Sequence, residues 1–207
     1  MQLHRLQTYA LEIAGYQQIF DRDATVQREM LQLVAHATTA ICLKSEGIEG
    51  TVEVPLGDDE PVTYRRTGPS PVAHAVTWQT GFHSALICRD RETLDRLSTV
   101  SFEELRDSGT PLDEYFTVFC EAMQVFPTSQ DEAFYKLVEA LDAADPEDVE
   151  ETTFDAVLNL AMPEMSLMMQ LLKGDERDFN EALAGAVLHH REYWGYGDRR
   201  QYPQGFI

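Results

Sequence analysis

The chain has 207 residues, of which 43% are hydrophobic and 25% charged, a composition typical of a folded globular protein with a buried core. Its 16 Lys and Arg residues stand against 36 Asp and Glu, which gives a formal net charge of -20. Charge of this sign repels nucleic acid and anionic membrane surfaces and attracts basic proteins, so we expect a protein partner and neither of the other two.

Helical spacing dominates the first 45 residues. Apolar residues recur at intervals of three and four, which predicts one helix over about residues 6–20 and another over about residues 25–43. The pattern then changes to alternation at residues 51–54 and 62–65, on either side of a turn rich in Gly, Asp and Pro. This change predicts one small β-hairpin, inserted at residues 51–66 in an otherwise helical chain.

Helical signals return at Ser70, which can cap a helix that has Pro71 in its first position. The stripe that we expect this helix to bury consists of Ala75, Trp78, Phe82, Ala85 and Leu86. Further helices are predicted over residues 111–126, 131–144, 153–173 and 176–194. Pro163 is expected to break or kink the third of these, and Gly174 to end it. Helices of this length with short connectors predict a mainly α fold, a single domain of antiparallel helical hairpins packed as a bundle or short solenoid.

The sequence offers no constellation typical of an active site. His189 and His190 are adjacent, so on a helix they point about 100° apart and do not easily share a metal. There is no His-Glu-x-x-His pair, no Cys-x-x-Cys pair and no phosphate-binding glycine loop. The cysteines at positions 42, 88 and 120 are far apart in apolar contexts, which favours buried, reduced thiols in a cytoplasmic protein. We therefore expect no enzyme activity, no metal and no cofactor.

The acidic residues are unevenly distributed. Residues 101–155 contain 16 acidic residues against Arg106 and Lys136, so -14 of the net -20 falls in about a quarter of the chain. Such clustering lowers stability through repulsion between like charges, so a function that compensates for this loss is expected, such as docking of a basic partner. A solvated loop and helix face explains the clustering equally well. The expected contact residues lie in the densest part of this segment and at the hairpin tip: Asp142, Asp145, Glu147, Asp148, Glu150, Glu151, Asp58, Asp59 and Glu60.

Two stretches share motifs with a known family. The first is a helix that reads Phe-Asn-x-Ala-Leu and ends in His-x-x-Tyr-Trp, with its positions at Phe179, Asn180, Ala182, Leu183, His190, Tyr193 and Trp194. The second is a helix that begins at Trp78 and ends in Ala-Leu-x-x-Arg-Asp at residues 85–90. In order and spacing these motifs resemble the bacterial immunity protein 49 family, over most of the chain from about Pro71 onward.

The resemblance implies a cytoplasmic protein of a polymorphic toxin system, which binds and neutralises a cognate toxin domain. Many such toxin domains are nucleases with basic active sites, and an acidic face has the sign needed to cover one. Two other interpretations remain open. One is a helical-repeat adaptor that docks basic proteins without any toxin connection, and the other is a hydrolase or transferase with an unusual helical site.

Overall fold

The computed structural model describes residues 3–20, 23–57, 60–145 and 149–195. It is mainly helical with one two-stranded antiparallel sheet, which confirms the predicted fold class. The elements are α1 (Leu3–Ile19), α2 (Ala24–Ser45), β1 (Thr51–Val54), β2 (Val62–Arg65), α3 (Ala75–Cys88), α4 (Arg91–Leu97), α5 (Phe102–Arg106), α6 (Glu114–Val125), α7 (Gln130–Ala143), α8 (Phe154–Ala156), a π-helical segment (Val157–Ala161), α9 (Met162–Lys173) and α10 (Glu176–Gly195). The described residues fall into two compact units, 3–110 and 111–195, and the single domain stays a prediction.

The first unit is built around α2. Asp23 caps this helix, because its Oδ1 accepts the backbone N–H of Thr25 at 2.8 Å. Every residue from 34 to 43 is buried, under α1, α3 and the hairpin. A helix that is buried on all sides needs the small and apolar residues that this stretch of α2 supplies, such as Ala35, Ala37 and Ala40.

Both neighbouring helices meet α2 at Thr38. From α1, Gln7 Nε2 donates a hydrogen bond of 2.8 Å to Thr38 Oγ1, and both side chains are buried. From α3, the backbone approaches at Gly81, where an added Cβ would lie only 2.4 Å from the Thr38 Cβ. Gly81 is therefore required by the close packing of the two helices rather than by its backbone angles.

The predicted start of α3 at Ser70 is wrong. Residues 70–73 form a turn, in which Ala73 N donates to Ser70 O at 2.8 Å, and the helix begins at Ala75 with the His74 side chain as its cap. Ser followed by Pro suits the first two positions of a type I turn as well as a helix start, so the signal was ambiguous. Of the predicted stripe, four residues are buried, whereas Leu86 is 49% exposed.

Trp78 fastens α3 to the two short helices that follow, which the sequence analysis did not predict. Its indole N–H donates to the carbonyl of Leu97, at the end of α4, at 2.9 Å. Its ring stacks on Phe82 at 4.6 Å and meets the edge of Phe102, at the start of α5, at 5.0 Å. The fully buried indole thus packs against two aromatic rings and has its polar N–H hydrogen-bonded.

The hairpin has the predicted strands, and Val52 and Val54 alternate inward. It is attached to α2 through the buried His36. Nδ1 of His36 accepts the backbone N–H of Gly57 at 3.1 Å, which leaves Nε2 to donate to Asp90 Oδ2 at 3.0 Å. A buried imidazole with both nitrogens engaged in this way serves as a structural connector between the hairpin and the α3–α4 junction.

The second unit begins with the antiparallel pair α6 and α7. The pair buries Tyr115, Phe119 and Ala122 from α6, and Ala133, Leu137 and Ala140 from α7. At its side Lys136 Nζ lies 2.5 Å from Glu121 Oε2, an ion pair between the two helices.

The chain is then helical from residue 154 to 173, but its hydrogen bonding changes to π-helical over 157–161, just before Pro163. The break predicted at this proline is therefore a local change of helix type. Gly174 ends α9 in the left-handed conformation, at φ 71°, and Asp175 Oδ1 accepts the N–H of Asp178 at 3.0 Å to cap α10. No residue of α10, which the structure describes throughout, is buried, although the helix packs along α9 and the π-helical segment.

Candidate protein-binding surface

The predicted contact residues lie in several places. Asp142 and Asp145 are exposed at the end of α7, Glu150 and Glu151 are exposed in the connection that follows, and Glu60 is exposed beside the hairpin tip. The other four, Asp58, Asp59, Glu147 and Asp148, lie outside the described residues. Exposure is a requirement for contact with a partner, and the five described residues meet it.

The outer side of α7 combines acidic and apolar residues in one stripe. Its buried side consists of Ala133, Leu137, Ala140 and Ala144. Opposite, at intervals of four, three and four residues, lie Asp131, Tyr135, Val138 and Asp142, which we call the acidic face. Tyr135 is 72% exposed, and its ring is in edge contact with that of Phe134. The face therefore places an exposed aromatic residue between carboxylates.

Tyr135 and Val138 are not among the contact residues predicted from the sequence, because acidic residues were weighed there by their density along the chain. The signal that could have found them is their spacing: residues 131, 135, 138 and 142 repeat at the helical period, out of phase with the buried alanines and leucine. Lys136 is the single basic residue of α7, and its ion pair with Glu121 turns it toward α6. The field of the acidic face is thus negative.

Residues 150–152, which precede α8, are hydrogen-bonded to a buried carboxylate. Asp113 precedes α6 in the capping position but makes no side-chain bond to that helix. Instead Oδ1 accepts the backbone N–H groups of Glu150 and Glu151, at 2.8 and 3.0 Å, and Oδ2 accepts that of Thr152 at 2.7 Å. Asp113 is only 8% exposed. The Asp113 side chain therefore holds the backbone of residues 150–152, while the side chains of Glu150 and Glu151 are exposed.

The ionisation of Asp113 follows from this arrangement. Burial alone would raise the pKa of its carboxyl group, but the N–H donors of residues 150–152 and the Thr152 side chain outweigh burial and lower the pKa below its ordinary value. The group is therefore a carboxylate at neutral pH. Its three backbone hydrogen bonds join the carboxylate to residues 150–152.

The described residues offer little for catalysis. They contain no group of three or more His, Cys, Asp or Glu able to hold a metal ion. All three cysteines are buried, and burial raises the pKa of each thiol, so thiolate nucleophiles are disfavoured. An open depression at the α9–α10 turn is lined by Asp175, Glu176 and Arg177 among others, but the Arg177 guanidinium is engaged by Asp178 at 2.9 Å. In the same described part of the chain, no helix is both long and apolar enough to cross a bilayer.

The aromatic residues of the two sequence motifs differ in burial. Trp78 is fully buried. Phe179, Tyr193 and Trp194 are half-buried on α10, where Trp194 contacts the rings of Tyr193 and His190 at 5.2 and 6.3 Å. Burial lowers the pKa of His190, which keeps its imidazole neutral at physiological pH. Trp78 is therefore a core residue, whereas the three aromatic residues of α10 are in part exposed.

The family model described as Immunity protein 49 matches residues 18–207, which is most of the chain and includes both motifs. No curated protein and no solved structure matches the chain.

Proposed function

The chain belongs to the Immunity protein 49 family, and from this premise we propose that it binds and neutralises a cognate toxin domain through the acidic face on α7. The observation that carries the proposal is the exposed Tyr135 set between Asp131 and Asp142. The chain neutralises the toxin by covering its active site, without making or breaking a covalent bond.

Charge supports a basic partner. Most of the excess negative charge of the chain, -14 of -20, falls on residues 101–155, which include α7 and the connection after it. Such a charge raises the rate of encounter with a positively charged surface, and the effect weakens as salt screens it. A toxin domain that acts on nucleic acid holds phosphates with Lys and Arg, so it carries the complementary sign. Carboxylates of the acidic face would take the positions of those phosphates.

Affinity requires more than charge, because exposed ion pairs contribute little each. Tyr135 supplies the anchor. Tyrosine is enriched among the residues that dominate interface energies, because its ring buries a large area at a small cost in side-chain entropy. Val138 lies one turn further along the same side and extends the apolar centre, with Asp131 and Asp142 at its ends. An apolar centre with a charged rim is the usual anatomy of a specific interface.

The same proposal implies that the protein works in the cytoplasm. A protein that must meet a toxin at its target works in the cytoplasm, and three buried cysteines in the thiol form suit a reducing compartment.

Co-expression tests the function directly. The toxin domain encoded by a neighbouring gene is expressed in bacteria with the wild-type chain, with Tyr135→Ala, and with Leu86→Ala as a matched control at an exposed apolar residue of α3. We expect the wild type and the control to relieve growth inhibition and Tyr135→Ala to relieve it less. No relief by the wild type would reject the immunity function, and retained binding of basic proteins would then favour an adaptor. Equal relief by all three would remove Tyr135 from the interface.

A further inference from the structure

Residues 150–154 combine exposed carboxylates with an exposed aromatic side chain. Glu150 and Glu151 are exposed, and Phe154, at the start of α8, is 54% exposed. Tyr135 and the aspartates on either side of it form the same combination on α7. We call Glu150, Glu151 and Phe154 the Phe154 patch.

The backbone that carries the Phe154 patch is hydrogen-bonded to the fold at four N–H groups. Asp113, which is only 8% exposed, accepts the backbone N–H groups of residues 150–152 at 2.7–3.0 Å. Thr153 then caps α8, since its hydroxyl accepts the N–H of Ala156 at 3.3 Å. All four donors are backbone groups, so these bonds use none of the three side chains of the patch.

Charge identifies the kind of partner that fits the Phe154 patch. Residues 137–172 contain nine acidic residues and neither Lys nor Arg. Lys136, which comes just before this segment, is paired with Glu121. A second copy of the chain, a nucleic acid and an anionic membrane all bring more negative charge and are repelled. A basic protein is attracted, and Phe154 offers it an apolar contact among the carboxylates.

The length of the chain places the Phe154 patch close to the acidic face. Eight residues lead from Asp142, at the end of that face, to Glu150, so their Cα atoms lie at most about 29 Å apart. The distance is shorter than this limit, because the chain is helical as far as Ala143. An interface of standard size buries about 800 Å² on each partner, which corresponds to a patch about 30 Å across. One partner on the acidic face can therefore reach the Phe154 patch as well.

We propose that the Phe154 patch is a second contact of the toxin domain, in which Phe154 enters an apolar depression and the two glutamates meet basic residues around it. This inference rests on the proposed function and extends the binding surface from α7 to residues 150–154. The two kinds of side chain act on different rates. Carboxylates steer the encounter and raise the association rate, whereas an aromatic anchor lowers the dissociation rate.

Stopped-flow kinetics with the toxin domain from the neighbouring gene measure both rates, over a range of NaCl concentrations. Phe154→Ala should raise the dissociation rate at least about tenfold, the effect of losing one aromatic anchor, and should leave association and its salt dependence unchanged. The double variant Glu150→Gln and Glu151→Gln should slow association and reduce its salt dependence. Leu171→Ala on α9, at a side chain that is 52% exposed, is the matched control and should change neither rate.

Tyr135→Ala, measured alongside, separates a failure of this inference from a failure of the proposed function. If Tyr135→Ala speeds dissociation and Phe154→Ala does not, the toxin domain binds α7 without the Phe154 patch, and the inference is overturned. Equal effects of Phe154→Ala and Leu171→Ala would overturn it too. A wild-type chain that does not bind the toxin domain would reject both.

Circular dichroism during thermal denaturation shows which variants are folded. If Phe154→Ala fails to fold, Phe154→Leu, which keeps a smaller apolar side chain, replaces it. The expected rise in the dissociation rate is then about threefold, because part of the apolar contact remains. No rise would again remove Phe154 from the interface.

Discussion

Replacement of Asp113 by Asn should weaken the hydrogen bonds that hold residues 150–152. The carboxylate accepts three backbone hydrogen bonds at 2.7–3.0 Å while almost buried. A hydrogen bond to a charged group contributes about 1.5–3 kcal/mol, and a neutral one about 1 kcal/mol. The Asn side chain keeps one acceptor oxygen but turns an N–H group toward a backbone N–H. One bond is lost and two become neutral, so we expect Asp113→Asn to lower the free energy of unfolding by about 3 kcal/mol.

The loss should depend on pH in a defined direction. The pKa of Asp113 is lower in the folded protein than in the unfolded chain, where it is about 3.9. The carboxylate therefore stabilises the fold fully above the unfolded pKa, and this contribution is lost as the pH falls through the folded pKa. The difference between wild type and variant should be constant from neutral pH down to about pH 5 and should shrink below about pH 4.

Urea denaturation across this pH range measures the difference, and hydrogen exchange locates it. In the wild type the amides of residues 150–152 should be protected, and in Asp113→Asn they should exchange faster, since their acceptor is weakened. Asp142→Asn is the matched control, because it removes an exposed carboxylate of the same unit. Equal losses of stability in both variants, or a loss from Asp113→Asn that is as large at pH 3 as at pH 7, would show that the Asp113 carboxylate does not stabilise the fold in this way.

Two further predictions concern packing. Gly81→Ala should destabilise the fold by about 2–3 kcal/mol, because its Cβ would meet Thr38. Gly185→Ala on α10, which has open space around it, should be neutral or stabilise the fold by up to about 1 kcal/mol. Thermal unfolding compares the two variants, and equal losses of stability would contradict the close approach of α3 to α2. The three cysteines are buried, so their thiols should not react with a thiol reagent at pH 8 in the native protein and should all react in urea. Fast reaction of any thiol in the native protein would show that this thiol is accessible.

The helical organisation could be predicted because periodicity and local caps encode it. The period of the buried residues in α7, the alternation of Val52 and Val54, and the left-handed Gly174 each appear in the sequence and in the structure. Where one local signal fits two conformations, prediction fails. Ser70-Pro71 suits a turn as well as a helix start. The packing of α3, which begins only at Ala75, favours the turn.

The candidate surface could be predicted only in part. Charge density pointed to residues 142–151, because it needs no knowledge of which side of a helix faces outward. Tyr135 and Val138 become visible only when the buried side of α7 is known, since exposed and buried apolar residues look alike in a sequence. The role of Asp113 depends on residues 37 to 39 positions away, and no local pattern reports such a contact.

We expect a basic toxin domain to bind the acidic face. Stopped-flow association with the toxin domain from the neighbouring gene, as a function of NaCl concentration, tests it. The double variant Asp131→Lys and Asp142→Lys should slow association and flatten its salt dependence. The control Glu92→Lys and Asp95→Lys changes the net charge equally, but on exposed residues of α4, and should have a smaller effect. Association that is insensitive to salt, or that both double variants slow equally, would contradict the claim.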